Sequence, residues 1–379
     1  MKKLIWVTRN FPPLLGGMER LVYNAYNVTR EEFHAYLVGP AGCAKYVEDS
    51  NSVRESRIKP VFFFLVMSFV RGLSLLAGIG KPALILGGSG LVAPVVVGLA
   101  KLVGSKSVIL VHGLDLIVQS RLYHYFFLPF LRRADLIIAN SENTLRLALQ
   151  EGVPESKITV VNPGVDFPEL ILDKKQARQR LNTDSENILL SVGRLIPRKG
   201  LPDFIRKSLP GIIRNHPDTL FFIAGSEPQD ALRKNSISVE QEIKSALKET
   251  GLHQHVRLLG AVDEITLQYL LCSADVFIFP LVEVKGDVEG FGMVAVEAAA
   301  YGVPTVAFDC GGVSDAVQDG RSGRLVTPGD YASFTNRVLE VLTNKDQITA
   351  AMCREYAQRF NWAAYGKKLL VSMLKISPN

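Results

Sequence analysis

Short runs of apolar, largely β-branched residues alternate along almost the whole chain with segments whose apolar residues recur at helical spacing. In the first part, Leu4–Thr8, Ala35–Gly39, Ala83–Gly87, Ser107–Val111, Leu136–Asn140 and Ile158–Asn162 predict strands, and residues 18–28, 91–103, 121–133 and 142–151 predict helices. Continuous apolar runs suit strands buried on both faces, and strand–helix alternation leads to a parallel sheet covered by helices on both sides. The rhythm breaks at Asn162-Pro-Gly-Val-Asp166, and residues 167–186 are polar with no strand signal. It then resumes with strands at Ile188–Gly193, Leu220–Gly225, Val256–Leu259, Val276–Phe279 and Thr305–Phe308, and helices near 201–214, 238–250, 264–273, 291–301 and 331–343. A chain of 379 residues also exceeds what one core usually sustains. The expectation is two doubly wound, Rossmann-like α/β domains, 1–165 and 166–345. A helical tail, 346–379, ends at Pro378 and packs back toward the first domain. Sheets of this kind take ligands at the carboxyl ends of their strands, here in a cleft between the two domains.

Charge separates the halves. Residues 1–165 hold 18 Lys/Arg and 11 Asp/Glu, while the remainder holds 25 and 26. A basic first half suggests an anionic partner, either a membrane surface or a phosphate-bearing acceptor, unless its lysines merely solubilise the domain. Nucleic acid is not expected, because there is no zinc finger, RNP motif or aromatic-basic ladder. Cys43, Cys272, Cys310 and Cys353 are scattered without a CxxC pair, which reads as reduced thiols in a cytoplasmic protein. The opening run, MKKLIWVTRN, is too short for a signal-peptide core and reads as a first strand. Residues 61–80 and 84–103 are apolar enough to suggest membrane spans, but Arg71 interrupts one and Gly87-Gly-Ser-Gly90 the other. The first reads as a buried or partly buried helix, the second as strand, glycine turn and helix. A peripheral contact with an anionic membrane remains open, since Arg71, Lys81, Lys101 and Lys106 flank this surface and 121–133 repeats the aromatic-basic mix.

Four motifs carry candidate chemistry. The run Glu289-Gly-Phe-Gly-Met-Val-Ala-Val-Glu297 sets a carboxylate in a glycine loop and a second inside the helix that starts near Phe291. Such a helix start offers unpaired N–H groups to an anion, although an acidic helix start and a solvated glutamate would look the same. Gly193-Arg-Leu-Ile-Pro-Arg-Lys-Gly200 follows a strand with three cations, suited to a departing diphosphate or simply an exposed basic turn. Gly16-Gly17 follow the first strand and precede a helix, where backbone can approach a ligand closely or merely turn. His112 ends a strand before Gly113. Asp115 follows as a second ligand contact or a cap.

EGFGMVAVE, followed by AAAYGVPTVA, resembles the E-x7-E signature of family 4 retaining glycosyltransferases, whose fold is GT-B. GRLIPRKG is similar to that family's diphosphate-binding loop. The resemblance puts Glu289 on the hydroxyls of the transferred sugar and Glu297 on the nucleotide ribose. Backbone of Gly290, Phe291, Gly292 and Met293 would then lie on sugar and phosphate, and Arg194 and Lys199 on the diphosphate. Arg198 is left between that set and solvent. Gly16 and Gly17 would border donor phosphate and acceptor, His112 the sugar's reacting carbon, and Gly225 the base and ribose. The implied activity is transfer of a hexosyl unit from a nucleotide-diphosphate sugar to an acceptor hydroxyl, glycan or lipid-linked, with the anomeric configuration retained. No Asp-x-Asp motif stands at a strand end, so neither an obligatory metal nor a cofactor besides the donor is expected. The alternatives are a non-catalytic sugar- or lipid-binding subunit and a nucleotide-sugar epimerase on the same architecture. The intact Arg194, Lys199, Glu289 and Glu297 set argues against the first. The lack of this glutamate loop in such epimerases argues against the second.

Overall fold

In the computed structural model, which describes residues 1–227, 238–344 and 347–377, the apolar runs pair into two wholly parallel sheets. The first sheet contains β1 (Lys2–Val7), β2 (Phe33–Pro40), β3 (Val53–Ser56), β4 (Leu84–Gly87), β5 (Lys106–Val111), β6 (Leu136–Ala139) and β7 (Ile158–Val160), in the order β3-β2-β1-β4-β5-β6-β7. The second contains β8 (Asn187–Val192), β9 (Thr219–Ala224), β10 (Val256–Gly260), β11 (Val276–Phe279), β12 (Thr305–Phe308) and β13 (Gly323–Val326), in the order β10-β9-β8-β11-β12-β13. Both have the order reversal of a doubly wound sheet, between β1 and β4 and between β8 and β11. The edge strands β3 and β13 carry no signal that the sequence reading registered. Arg54, Glu55, Arg324 and Leu325 are only partly buried there, so neither strand reads as a fully apolar run.

The chain divides into two compact units, Met1–Gly164 with the segment from Trp362 onward, and Val165–Asn361. This splits the expected tail. The helix Ala350–Ala357 buries Cys353, Tyr356 and Ala357 in the core of the second unit, together with Ile348 and Phe360. Only the helix Trp362–Ile376 belongs to the first unit, where Gly366 lies against Val28 of the helix Gly17–Thr29. The chain enters and leaves the second unit at one place, where the Val165 amide donates to the Phe360 carbonyl at 2.8 Å. The expected boundary at 345/346 and the chain end at Pro378 lie outside the described residues.

Two expected helices are broken. Residues 121–133 form Arg121–Phe126 and Leu128–Arg133, and residues 201–214 form Leu201–Lys207 and Leu209–Asn215. Pro129 and Pro210 lack an N–H to continue the preceding turn, and each sits in the first turn of the second piece. In the polar stretch 167–186 a helix, Lys174–Arg180, is held to the sheet by charge. Lys174 and Arg178 donate to buried Asp275 at 2.8 and 2.6 Å, and Asp275 also accepts the Ile188 amide. Residues 61–80 form the helix Val61–Ile79, which buries Phe64, Ser68, Gly72, Leu75 and Leu76 on one side.

Candidate functional site

In the second unit the functional side chains stand on loops after β8, β11 and β12. After β8 the chain turns through a short 3-10 segment, Pro197–Lys199, and Gly200 closes it in the left-handed region. This turn separates its three cations. Arg194 is exposed, whereas Arg198 and Lys199 are buried. Arg198 donates through Nε to Asp287 Oδ1 at 3.0 Å and through Nη1 to Glu289 Oε2. Lys199 Nζ donates to the same Glu289 oxygen at 2.9 Å and lies 4.5 Å from the centre of the Phe279 ring. Arg198 is therefore not a solvated neighbour of the diphosphate set. It is the buried partner of the glutamate, and it comes there because residues 284–287 fold back as a tight turn, with Val284 bridged to Asp287, that delivers Asp287 to its guanidinium.

Glu289 feels opposing forces. Burial favours its neutral form, but Lys199 and Arg198 outweigh burial and draw its carboxyl from 4.5 to about 2. Burial depresses the Lys199 ammonium below its usual range against the pull of Glu289, with Arg198 and Arg194 adding repulsion. Arg198 is resisted by burial yet held charged by Glu289 and Asp287. Both cations converge on Oε2, and Oε1 takes no hydrogen bond among the described residues. The cluster thus keeps an ionised carboxylate with one oxygen open, beside an ammonium that has donors to spare.

The following residues set the loop. Gly292 is the left-handed cap of the helix Met293–Ala300, so the helix starts two residues later than the pattern suggested and Glu297, partly buried, falls in its second turn. The Phe291 side chain enters the core 5.5 Å from the Phe360 ring, so only backbone of Gly290, Phe291, Gly292 and Met293 is left for an anion at this helix start. Sequence reasoning passed over the next element. The Gly312 amide donates to the Glu289 carbonyl at 2.9 Å, and a Cβ at Gly312 would stand 2.2 Å from the Gly290 carbonyl oxygen. The glycine pair after β12 is therefore the seat of the glutamate loop. Gly225 has a comparable packing role: its φ is +144°, and a Cβ there would stand 1.8 Å from the Gly193 carbonyl oxygen, so it lets the ends of β8 and β9 close together.

In the first unit the expected residues gather at the ends of β1, β4 and β5. His112 is buried, and its Nε2 lies 2.8 Å from the Gly88 carbonyl. A carbonyl partner requires a proton on Nε2; in the neutral tautomer so defined Nδ1 is the acceptor, and Nδ1 is buried without a hydrogen bond among the described residues. Asp115 is not the expected cap, since Gly113 caps the helix Leu114–Ile117 with no side-chain bond; from the first turn its carboxylate reaches back to accept the His112 amide at 3.1 Å. Ser89 Oγ, next to Gly90 in the chain, and Tyr123 Oη, 3.1 Å from where a Gly90 Cβ would stand, are also buried without hydrogen-bond partners among the described residues. Neither stood out in the sequence, where each is one of many such residues. Gly16 and Gly17 are exposed at the start of the helix Gly17–Thr29, with Glu19 folded back to accept Asn10 Nδ2 at 2.8 Å. A Cβ at Gly16 would stand 2.4 Å from the Glu19 carboxylate. The carboxylate at this helix start favours hydroxyl donors over a second anion.

Comparison with known proteins agrees with this arrangement. A family model described as "Glycosyl transferases group 1" matches residues 173–360, and one described as "Glycosyltransferase Family 4" matches residues 15–168. The chain is 31% identical over 241 residues to a D-inositol 3-phosphate glycosyltransferase of Catenulispora acidiphila, covering 61% of this chain and 54% of that protein. It thus spans about half the length of that curated relative. It is 27% identical, over 97% of both chains, to a Corynebacterium glutamicum GDP-mannose-dependent monoacylated alpha-(1-6)-phosphatidylinositol monomannoside mannosyltransferase. Among solved structures, Anabaena HepE in complex with UDP superposes with a TM-score of 0.80 at 20% identity, over 98% of this chain and 100% of that one.

Proposed function

The chain belongs to the family 4-type glycosyltransferases of the GT-B fold, and on that premise we propose that it moves a hexosyl unit from a nucleotide-diphosphate sugar to an acceptor hydroxyl with retention at the anomeric carbon. The observation that carries this reading is the convergence of Arg198 and Lys199 on one oxygen of Glu289 at the foot of a glycine-capped helix. A carboxylate held ionised with its second oxygen open suits sugar hydroxyls. Lys199, Arg194 and the helix amides suit the charge that grows on a departing diphosphate.

In this reading the bond from the anomeric carbon to the diphosphate breaks as the acceptor oxygen bonds to the same carbon. The departing phosphate oxygen takes the acceptor's proton. His112 Nδ1 accepts from a hydroxyl of the transferred sugar, and the Gly16–Gly17 turn faces the acceptor. Glu297 holds the ribose, and Gly225 borders the base. No metal takes part. The resemblance to an enzyme named for a phosphatidylinositol mannoside supports a lipid-linked or glycan acceptor. Four free, buried cysteines fit a reducing, cytoplasmic setting.

A thermal-shift panel of UDP-, GDP- and ADP-sugars, followed by donor hydrolysis with and without EDTA, tests the reading. One nucleotide series should raise the melting temperature and be hydrolysed equally in EDTA. If no series does either, the donor assignment is wrong, and reversible loss in EDTA would remove the metal-free claim. Proton NMR of the product should show the donor's anomeric configuration.

A further inference from the structure

The helix Val61–Ile79 turns most of its apolar surface outward. Its buried side is fixed: Phe64, Leu75 and Leu76 join Ile5 and Ile85 in the core on one face of the first sheet, and Gly72 sits so close to Leu99 that a Cβ would stand 2.3 Å from it. The opposite side carries Phe62, Phe63, Val66, Val70 and Leu73, spaced to form one stripe along the helix, all exposed and Phe62 by 78%. Only 28% of the helix's most apolar stretch is buried. The same face of the sheet is covered further along by the helices Ala93–Val103, Arg121–Phe126 and Leu128–Arg133, whose Val96, Leu99, Tyr123 and Leu131 share that core. There, too, large apolar groups point outward: Leu102, Leu122, Tyr125 and Phe126, with Tyr125 exposed by 76%. Scattered exposed leucines need no explanation, but a continuous stripe of this size does.

The charges around it are one-sided. Between Arg57 and Ala134 the sequence holds nine Lys or Arg and a single carboxylate, Asp115, and Asp115 is engaged by the His112 amide. Arg57, Lys59, Lys81, Lys101, Arg121 and Arg133 are exposed, and the first two and Lys81 stand at the ends of the apolar helix. Aliphatic and aromatic groups flanked by cations, with almost no acid, complement a surface that is apolar beneath and anionic above.

We propose that this face of the first unit docks in the plane of an anionic lipid bilayer, with the Val61–Ile79 stripe and the Tyr125–Phe126 tip in the acyl boundary and the cations on the headgroups. The helix is long and apolar enough to cross a membrane. It lies in the plane instead, because withdrawing it would strip Ile5 and Ile85 of their cover. The proposal stands on this surface alone and is independent of the donor chemistry.

The test is sedimentation of the full chain with vesicles of phosphatidylcholine, alone or mixed with phosphatidylglycerol. The chain should pellet with the mixed vesicles, weakly or not at all with phosphatidylcholine, and be released between roughly 50 and 500 mM salt. Lys81→Gln/Lys101→Gln should weaken binding about thirtyfold, and Phe62→Ser/Phe63→Ser/Val70→Ser at least as much. Both should keep the wild-type melting temperature and vesicle-free donor hydrolysis. If the triple variant does not fold, the charge pair and the salt series decide. Failure to pellet with anionic vesicles at low salt overturns the proposal. So does a concentration-dependent dimer abolished by the apolar variant, which would make a second copy the occupant. Retention after a high-salt wash, with new protection from protease, would make the helix a span and overturn it equally.

Discussion

Residues 198–199 and 287–289 of the second unit bring four ionisable side chains together as ion pairs, Arg198, Lys199, Asp287 and Glu289. The strand ends of the first unit at Thr8, Gly88 and His112 are joined instead through backbone and an imidazole ring. Gly88 donates to the Val7 carbonyl, accepts from His112, and leaves no room for a Cβ beside Thr8. Burying paired charges is rarely the most stable way to fill a space, since removing ions from water costs several kcal/mol each before pairing offsets it. A fold that does so beside a helix start is arranged for a ligand of high charge. A fold that offers uncharged acceptors and glycine turns is arranged for hydroxyls. In the proposed function the second unit would meet its ligand through charge and the first through uncharged acceptors and shape.

The largest expected effect lies in the charged half. Glu289→Gln keeps the shape of the side chain but removes the charge that both cations share and an acceptor that sugar hydroxyls need. Turnover at saturating donor should fall by about 10²–10³-fold, with the melting temperature changed much less. If the Glu289→Gln enzyme hydrolyses donor at the wild-type rate, the charged half does not carry the chemistry and the contrast between units fails.

Arg198→Met comes next and separates holding Glu289 from binding phosphate. Losing one partner of a buried ion set costs about 3–5 kcal/mol, seen as a lowered midpoint in urea. The pH dependence gives a signature that packing loss alone would not. Glu289 is depressed to about 2 in the folded chain. Its contribution is therefore fully present above its unfolded value near 4.5 and is lost as pH falls toward 2. With Lys199 as its only strong cation the folded value rises, so the acid-induced loss should be smaller and should level off at a higher pH. An unchanged acid profile would place Arg198 outside the glutamate's control.

Legibility in the sequence follows the same division. Strands buried on both faces announced themselves, because Leu84–Gly87 and Val276–Phe279 can be nothing but apolar. The edge strands Val53–Ser56 and Gly323–Val326 did not, since polar residues suffice there. Glu289, Lys199 and the glycines between the glutamates could be singled out as candidates because a motif fixes their spacing. Arg198 was misplaced because the sequence shows three cations in a loop but not the 3-10 turn that buries two of them. Gly312 was missed because its partner, the Glu289 carbonyl, is a backbone atom 23 residues away in the chain. Ser89 and Tyr123 were missed for a related reason, as only the folded sheet sets them around one turn.

The smallest effect belongs to the uncharged half and tests its premise directly. His112→Gln retains a side-chain amide nitrogen able to take the place of Nε2 at the Gly88 carbonyl but puts no acceptor where Nδ1 stands. One lost hydrogen bond to a sugar hydroxyl corresponds to about tenfold in turnover. Because a hydrogen bond to a hydroxyl is being removed, the loss should be nearly independent of salt, whereas variants of Lys199 should respond to salt as a phosphate contact does. A panel of deoxy-sugar donors locates the contact. The donor lacking the hydroxyl that Nδ1 receives should turn over equally slowly on wild type and His112→Gln, while the other deoxy donors keep the tenfold difference. If every deoxy donor keeps it, His112 acts through the fold of the Gly88 turn rather than on the sugar, and the first unit would have to read its ligand by shape alone.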